Sequence, residues 1–292
     1  MNGALIINKP AGLTSHDVVA KVRHICQERS IGHLGTLDPA ATGVLPLLLG
    51  RLTRLAQFFQ GREKEYRGTI RFGFATDTYD AAGTAREART GTLPSAQDIE
   101  ALLPRFRGQI EQMPPPFSAK KIHGVPAYKL ARREQTVVLA PVKVEIGTFD
   151  LVAMEGEVME FRVICSTGTY VRSLAHDLGQ ATGAGAHLAS LERTRVGEFG
   201  LKQSLTLDEL AERAAAQTLN TALLPATALL PEMPAVVAPP EAIARLLHGQ
   251  AANLPEFSKA GRVRIFSIAG ELLGIGRRIA GTLFHPQVVL GG

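Results

Sequence analysis

The chain has no tryptophan, four tyrosines and only two cysteines in 292 residues. Two cysteines, Cys26 and Cys165, cannot build a disulfide framework and show no metal-ligand spacing. Cys26 falls on the apolar side of a helical pattern, where a buried, reduced thiol is expected. No stretch reaches the roughly 18 apolar residues of a membrane span. The apolar start, Ala4 to Ile7, is too short for a signal peptide and is followed, not preceded, by Lys9. A cytoplasmic protein with no membrane partner is therefore expected. The eight histidines show no H-x-x-x-H or HExxH spacing, so no metal is expected. There is no Gly-Lys-Ser/Thr phosphate loop and no G-x-G-x-x-G fingerprint. Paired-carboxylate glycosidase chemistry needs a second acid in a comparable setting, and the nearest candidates, Asp77 and Asp80, read as turn residues.

What is present is an ordinary globular composition, 45% apolar and 20% charged, with a net charge of +5. The surplus is concentrated. Phe117 to Gln135 (FSAKKIHGVPAYKLARREQ) holds Lys120, Lys121, Lys129, Arg132 and Arg133 against Glu134 alone, a net +4. Tyr128 and His123 are interleaved with these charges. Cations mixed with stackable rings suit a polyanion with exposed bases, and a solvated helix face fits the same run.

Patterning organises the rest. Gly3 to Asn8 reads as a buried strand. Thr14 or Ser15 caps a helix, with Asp17 at the capping-box distance from Thr14, and Val18, Val19, Val22, Ile25 and Cys26 recur at helical spacing. Val44 to Leu49 is apolar but contains Pro46, which predicts a strand end or an edge strand. Glu65 to Phe74 alternates, with Tyr66, Gly68, Ile70 and Phe72 on one face. Ser95 caps a further helix. Val142–Leu151 and Val158–Cys165 read as strands, and Ser166–Tyr170 as a turn into a helix ending near Ala181. Four prolines between Pro231 and Pro240 mark a boundary. A larger first domain over 1–233 is expected, with an insert at about 114–135, followed by a β-rich module over 234–292. Strands and helices do not alternate strictly, so the expected class is α+β with a mixed, largely antiparallel sheet and flanking helices.

The segment Gly32 to Gly43, GHLGTLDPAATG, holds one carboxylate among glycines. Asp38 followed by Pro39 is a good helix start, yet Gly43 and Pro46 would stop such a helix within two turns. The alternative is a carboxylate on a rigid loop, acting as nucleophile or base. Such a group needs a cation to orient it.

GHLGTLDPAATG resembles the catalytic loop of the TruB family, the tRNA pseudouridine synthases acting on uridine 55 of the T-arm. Five further stretches resemble the family in the same order. They are Asn8–Gly12 with Thr14-Ser15, and Glu65–Arg67 with Thr76–Thr78. Pro116–Lys121 with Gly124, Tyr128 and Ala131-Arg132 follows, then Cys165–Arg172, then Gly185–Leu188 through Leu191–Arg193. Phe117 stands where tyrosine is common, and Glu192 replaces one arginine.

The resemblance implies the pseudouridine synthase fold, a small C-terminal PUA-like RNA-binding module, and isomerisation of uridine without cofactor or metal. It implies that Asp38 is the nucleophile or base, and that Arg172 pairs with it. Tyr66 would stack on the flipped base and assist loss of the C5 proton. Tyr170 would lie against the base from the other side, His33 would insert where the uridine leaves the stack, and Leu191 would line the base pocket. Lys9 and Pro10 would buttress the loop. Lys120, Lys121 and Arg132 would grip the T-arm stem-loop of a tRNA, the expected partner of a monomer. A tRNA-folding chaperone using the same grip, a guide-RNA-dependent pseudouridine synthase and a small-molecule carboxylate enzyme are the alternatives.

Overall fold

The computed structural model describes residues 1–86, 92–117, 121–122, 125–126 and 140–291. In chain order the elements of the larger body are β1 (Gly3–Lys9), α1 (Ser15–Cys26), β2 (Ile31–His33), β3 (Thr42–Leu49), a 3-10 helix (Gly50–Phe59) and β4 (Lys64–Phe72). They continue with α2 (Ala96–Leu102), β5 (Gly108–Gln112), β6 (Val142–Glu155), β7 (Val158–Cys165), α3 (Val171–Thr182), β8 (Ala186–Val196), β9 (Phe199–Gly200) and α4 (Leu207–Ala215). Nine strands form one sheet in the order β1-β3-β8-β4-β7-β6-β5, with β2 on β3 and β9 on β8. Every pairing is antiparallel except the short contact of β3 with β8, Thr42 to Glu192 and Gly43 to Arg193. The sheet is therefore mixed and largely antiparallel.

Both faces of its β1–β3 end are covered, and the sequence there is accordingly apolar at almost every position. Leu5, Ile7, Leu45, Leu47 and Leu49 pack with Val18, Val19, Val22 and Cys26 of α1. Ala4, Ile6, Val44 and Leu48 face the other way, against Leu52, Leu55 and Phe59. The free edge of β1 is closed by backbone hydrogen bonds to Leu205 and Leu224, which removes an unpaired edge. Helix α1 starts as its sequence predicts: Thr14 accepts from the Asp17 amide while the Asp17 carboxylate accepts from the Thr14 amide.

β3 corrects one expectation. It is an interior strand, paired along its whole length with β1, and Pro46 lies opposite Ile6. The proline is tolerated because its carbonyl accepts from the Leu34 amide. Its nitrogen points the same way, toward the side where the chain has just left β2 and β8 has not yet arrived. A missing N–H there breaks no ladder bond.

The second sheet lies beyond Pro234. It comprises β10 (Ala235–Val237), β11 (Ala252–Asn253), β12 (Arg262–Phe266), β13 (Leu272–Ala280) and β14 (Leu283–Val289), ordered β10-β12-β13-β14-β11, with α5 (Pro240–Leu247) beside it. It has its own core around Val263, Ile265, Leu273 and Phe284. Leu272, Ile275, Val288 and Leu290 instead join the core of the 3-10 helix. Arg51 and Arg54 donate to the carbonyls of Leu290 and Val289 at 3.1 and 2.9 Å.

Candidate active site

Asp38 caps no helix. The chain leaves β2 at His33 and makes only a turn at Pro39-Ala40, where the Ala41 amide reaches the Asp38 carbonyl at 3.1 Å. It then enters β3 at Thr42. The loop is held almost entirely through its own backbone, by three side chains from distant parts of the sequence.

Ser15, in the first turn of α1, exchanges hydrogen bonds with the amide and carbonyl of Leu37 at 2.9 and 3.2 Å. Lys9, at the end of β1, directs its ammonium at three carbonyls, those of Pro10 (2.9 Å), Leu13 (2.6 Å) and Pro39 (3.1 Å). An ammonium has three protons and all are used. Arg193 is fully buried and donates to the carbonyls of Val44 (2.8 Å), Thr36 (3.1 Å) and Gly35 (3.0 Å). Leu37 and Ala41 anchor the two flanks in the core. Between them the chain comes to the surface at Asp38, Pro39 and Ala40, and the Asp38 side chain is 45% exposed.

Gly43 shows why the loop must end in glycine. Its φ is +99°, and a Cβ there would collide with the Arg193 carbonyl oxygen. This close approach lets β3 and β8 meet in parallel beneath the loop.

The guanidinium beside Asp38 belongs to Arg172, in the first turn of α3, at 2.9 Å from Nε to Oδ2. Arg172 is almost wholly buried and its other donors are engaged. Nη1 donates to the Thr78 carbonyl at 3.1 Å and lies 3.4 Å from Asp80 Oδ2. Nη2 donates to the Phe117 carbonyl at 3.1 Å. Asp80 is itself oriented, its Oδ1 accepting from the Thr78 hydroxyl (2.6 Å) and the Ala82 amide (3.1 Å). Arg172 thus joins the Asp38 loop, the turn after β4 and the start of the basic insert. A planar fork with five donors suits this task, which a lysine could not perform.

The remaining sequence-predicted residues fall into three groups. Tyr66 lies opposite Arg193 in the β4–β8 ladder and is only 6% exposed. Burial pushes its phenol up, and the Arg193 guanidinium opposes that. Leu191 packs on the same core cluster as Tyr66 and Leu37. His33 sits two residues before Gly35, whose amide donates to its Nδ1 at 3.3 Å. Burial holds its imidazole below the usual range, and His16 and Arg193 reinforce that. Lys9 is pushed down to about 8 by burial, against the pull of Asp38.

Tyr170 immediately precedes α3 and is half-buried. Its backbone is clamped by the buried Gln112, which accepts from its amide at 2.7 Å and donates to its carbonyl at 3.0 Å. Lys120 and Arg132 lie outside the described residues, as do Tyr128 and His123. Lys121 is described only as backbone in a two-residue ladder with Val125-Pro126. Among the described residues no group of three or more His, Cys, Asp or Glu could hold a metal ion. No helix there is long and apolar enough to cross a membrane.

From the sequence alone Asp80 reads as a turn residue, Ser15 as a cap within a family-like stretch, and neither Arg193 nor Gln112 carries an individual role. The signal for Asp80 is the adjoining Thr76–Thr78 stretch, and for Arg193 the Leu191–Arg193 stretch that contains it. Nothing local marked Gln112.

This architecture is the pseudouridine synthase fold. It superposes on the matched chain of an H/ACA RNP bound to a substrate RNA containing 2′-deoxyuridine, with TM-score 0.74 and 26% identity over 99% of this chain and 85% of that one. A second match, in an archaeal box H/ACA sRNP Nop10–Cbf5 complex, has TM-score 0.71 and 27% identity over 98% and 85%. The model of the N-terminal domain of TruB family pseudouridylate synthases matches residues 23–171. Models of the tRNA pseudouridylate synthase B C-terminal domain and of the pseudouridine synthase II TruB C-terminal region match 172–231 and 234–290. Among full-length relatives, tRNA pseudouridine synthase B of Solibacter usitatus is 45% identical over 99% of this chain and all of its own length. That of Stutzerimonas stutzeri is 40% identical over 94% and 91%. The chain belongs to the TruB family.

Proposed function

We propose that the protein isomerises uridine 55 in the T-arm of tRNAs to pseudouridine, with Asp38 opening the reaction. The observation that carries this reading is the 2.9 Å pair of Asp38 with Arg172: one partly exposed carboxylate, oriented by one buried guanidinium, on a loop whose backbone is bonded from three sides. In the reaction the N1–C1′ bond breaks, the base turns, and a C5–C1′ bond forms. The C5 proton leaves and N1 ends protonated.

Asp38 acts on the nucleoside as nucleophile or base, and Arg172 aims it. Tyr66 walls the pocket with Leu191, and its phenol oxygen accepts or relays the C5 proton. With so little of Tyr66 exposed, the base enters from the Asp38 side. Tyr170, held by Gln112, covers the opposite face, and His33 takes the place the flipped nucleotide leaves. Flipping costs a few kcal/mol, and stacking returns about 1–3 kcal/mol per base. Phosphate contacts from Lys120, Lys121 and Arg132 supply affinity that falls with salt. Residues 1–233 carry the chemistry as a monomer in the cytoplasm, and 234–292 add RNA-binding surface.

Tritium release from a T-arm stem-loop containing 5-³H-uridine, with no cofactor and no guide RNA, tests this. One equivalent per RNA is expected. No release from any tRNA would overturn the enzyme reading. Release only when a guide RNA is added would replace it with the guide-dependent one.

A further inference from the structure

The backbone at Tyr79 is in the left-handed region, with φ +64°. That conformation is unfavourable for a residue with a Cβ, and a half-buried tyrosine is an unusual choice for it. Its ring lies flat on His176, with centroids 3.8 Å apart and planes 8° from parallel. His176 Nδ1 is the one buried side-chain nitrogen or oxygen without a hydrogen-bond partner among the described residues. Among the described residues, then, the stack holds the imidazole on the side where Nδ1 makes no polar bond. Asp177 and Arg86 are the charged groups near the pair.

The position of the stack gives it a purpose. His176 follows Arg172 by four residues on α3, so both side chains project from the same face of the helix. Tyr79 stands between Thr78 and Asp80, the two residues that hold Arg172 Nη1. Helix and turn are thus joined at two points, one through charge and one through rings. The charged point shares its guanidinium with the chemistry: once the Asp38 carboxylate is consumed or protonated, Nε loses its anion and the charge balance on Arg172 changes. A ring stack does not depend on that charge.

We propose that the Tyr79–His176 stack is a positioning element for the Asp38–Arg172 pair, keeping the 78–80 turn against α3 while the charge on Asp38 changes. This rests on the reaction assigned above, and it commits the ring of Tyr79, not its hydroxyl or its backbone shape, as the working part.

The test compares ring-keeping with ring-deleting variants. Tyr79→Phe and His176→Phe keep the stack. Tyr79→Gly removes the ring while adopting positive φ freely, and His176→Leu fills the volume without a flat face. Single-turnover tritium release at saturating enzyme should be within about twofold of wild type for both Phe variants. It should be at least tenfold slower for Tyr79→Gly and His176→Leu, with RNA Kd unchanged, and the double variant should be no slower than the slower single one.

Wild-type rates in Tyr79→Gly, a loss confined to Kd, or equal damage from Tyr79→Phe would overturn the inference. A second readout needs no turnover. The slowed exchange of the Arg172 side-chain N–H protons, followed by NMR, should be lost in Tyr79→Gly and kept in Tyr79→Phe. If wild type released no tritium, the functional reading would fall, while these spectra would still decide whether the stack anchors Arg172. Unchanged exchange in Tyr79→Gly would end the proposal.

Discussion

Around Asp38 the charges are unequal in number. Lys9, Arg172 and Arg193 are all buried, yet only Arg172 has a carboxylate partner among the ion pairs of the described residues. Lys9 and Arg193 are satisfied by carbonyls, so they can stiffen the loop without neutralising the acid. Asp80 is then the second anion on Arg172. Asp80→Asn should slow single turnover about 10- to 100-fold, the effect of losing a charged contact worth about 1.5–3 kcal/mol. RNA affinity, measured by filter binding, should be unchanged. Asp38→Asn should abolish tritium release with RNA affinity likewise preserved, and loss of binding would show that Asp38 is structural.

Asp177 offers a test of the neighbourhood of the stack by pH. Burial pushes its carboxyl up to about 6, from 3.8. A carboxyl raised on folding binds more protons in the native state between those values, so stability falls as pH rises from about 4 to 6. Asp177→Asn should therefore raise Tm at pH 7.5. The advantage should shrink as pH drops through 6 and vanish below about 4, as followed by thermal unfolding.

At the scale of elements, the decisive contact is the parallel meeting of β3 and β8 under the Asp38 loop. It needs a backbone that no side chain can accompany. Gly43→Ala adds both left-handed strain and a collision with the Arg193 carbonyl. A loss of about 2–4 kcal/mol is expected, or roughly 5–10 °C in Tm. Activity should fall further than stability explains, because Arg193 would leave the carbonyls of Gly35 and Thr36. Many of the elements themselves were legible. The capping box at Thr14 and the cap at Ser95 predicted two helix starts, and alternation predicted the buried face of β4 at Tyr66, Ile70 and Phe72. Pro46 misled because the rule for proline concerns an N–H in a ladder, and whether that N–H is needed depends on which neighbours flank the strand at that residue.

Across the whole molecule, the second sheet is bolted to the first body. Leu272, Ile275, Val288 and Leu290 share a core with Leu52, Leu55 and Phe59 of the 3-10 helix, and Arg62 pairs with Glu232 nearby. Each fully buried side chain of this kind is worth about 1.5–3 kcal/mol. Ending the chain at residue 233 should therefore lower Tm by several degrees and cause self-association, detectable by sedimentation. An unchanged Tm and a clean monomer would show that the shared core contributes little.

The sequence by itself determined the family, through a lone carboxylate among glycines and a motif on each strand or helix that approaches it. These are local patterns, legible because turn, cap and alternation rules act over a few residues. Only the tertiary structure decided that Asp80 shares the guanidinium with Asp38, that Ser15, Lys9 and Arg193 hold the loop by its carbonyls, and that Gln112 clamps Tyr170. It also brought Tyr79 onto His176. Those contacts join residues from about 20 to more than 150 positions apart, and no local propensity encodes them. They follow from strand order and from the bulges that set the register of β8 against β4.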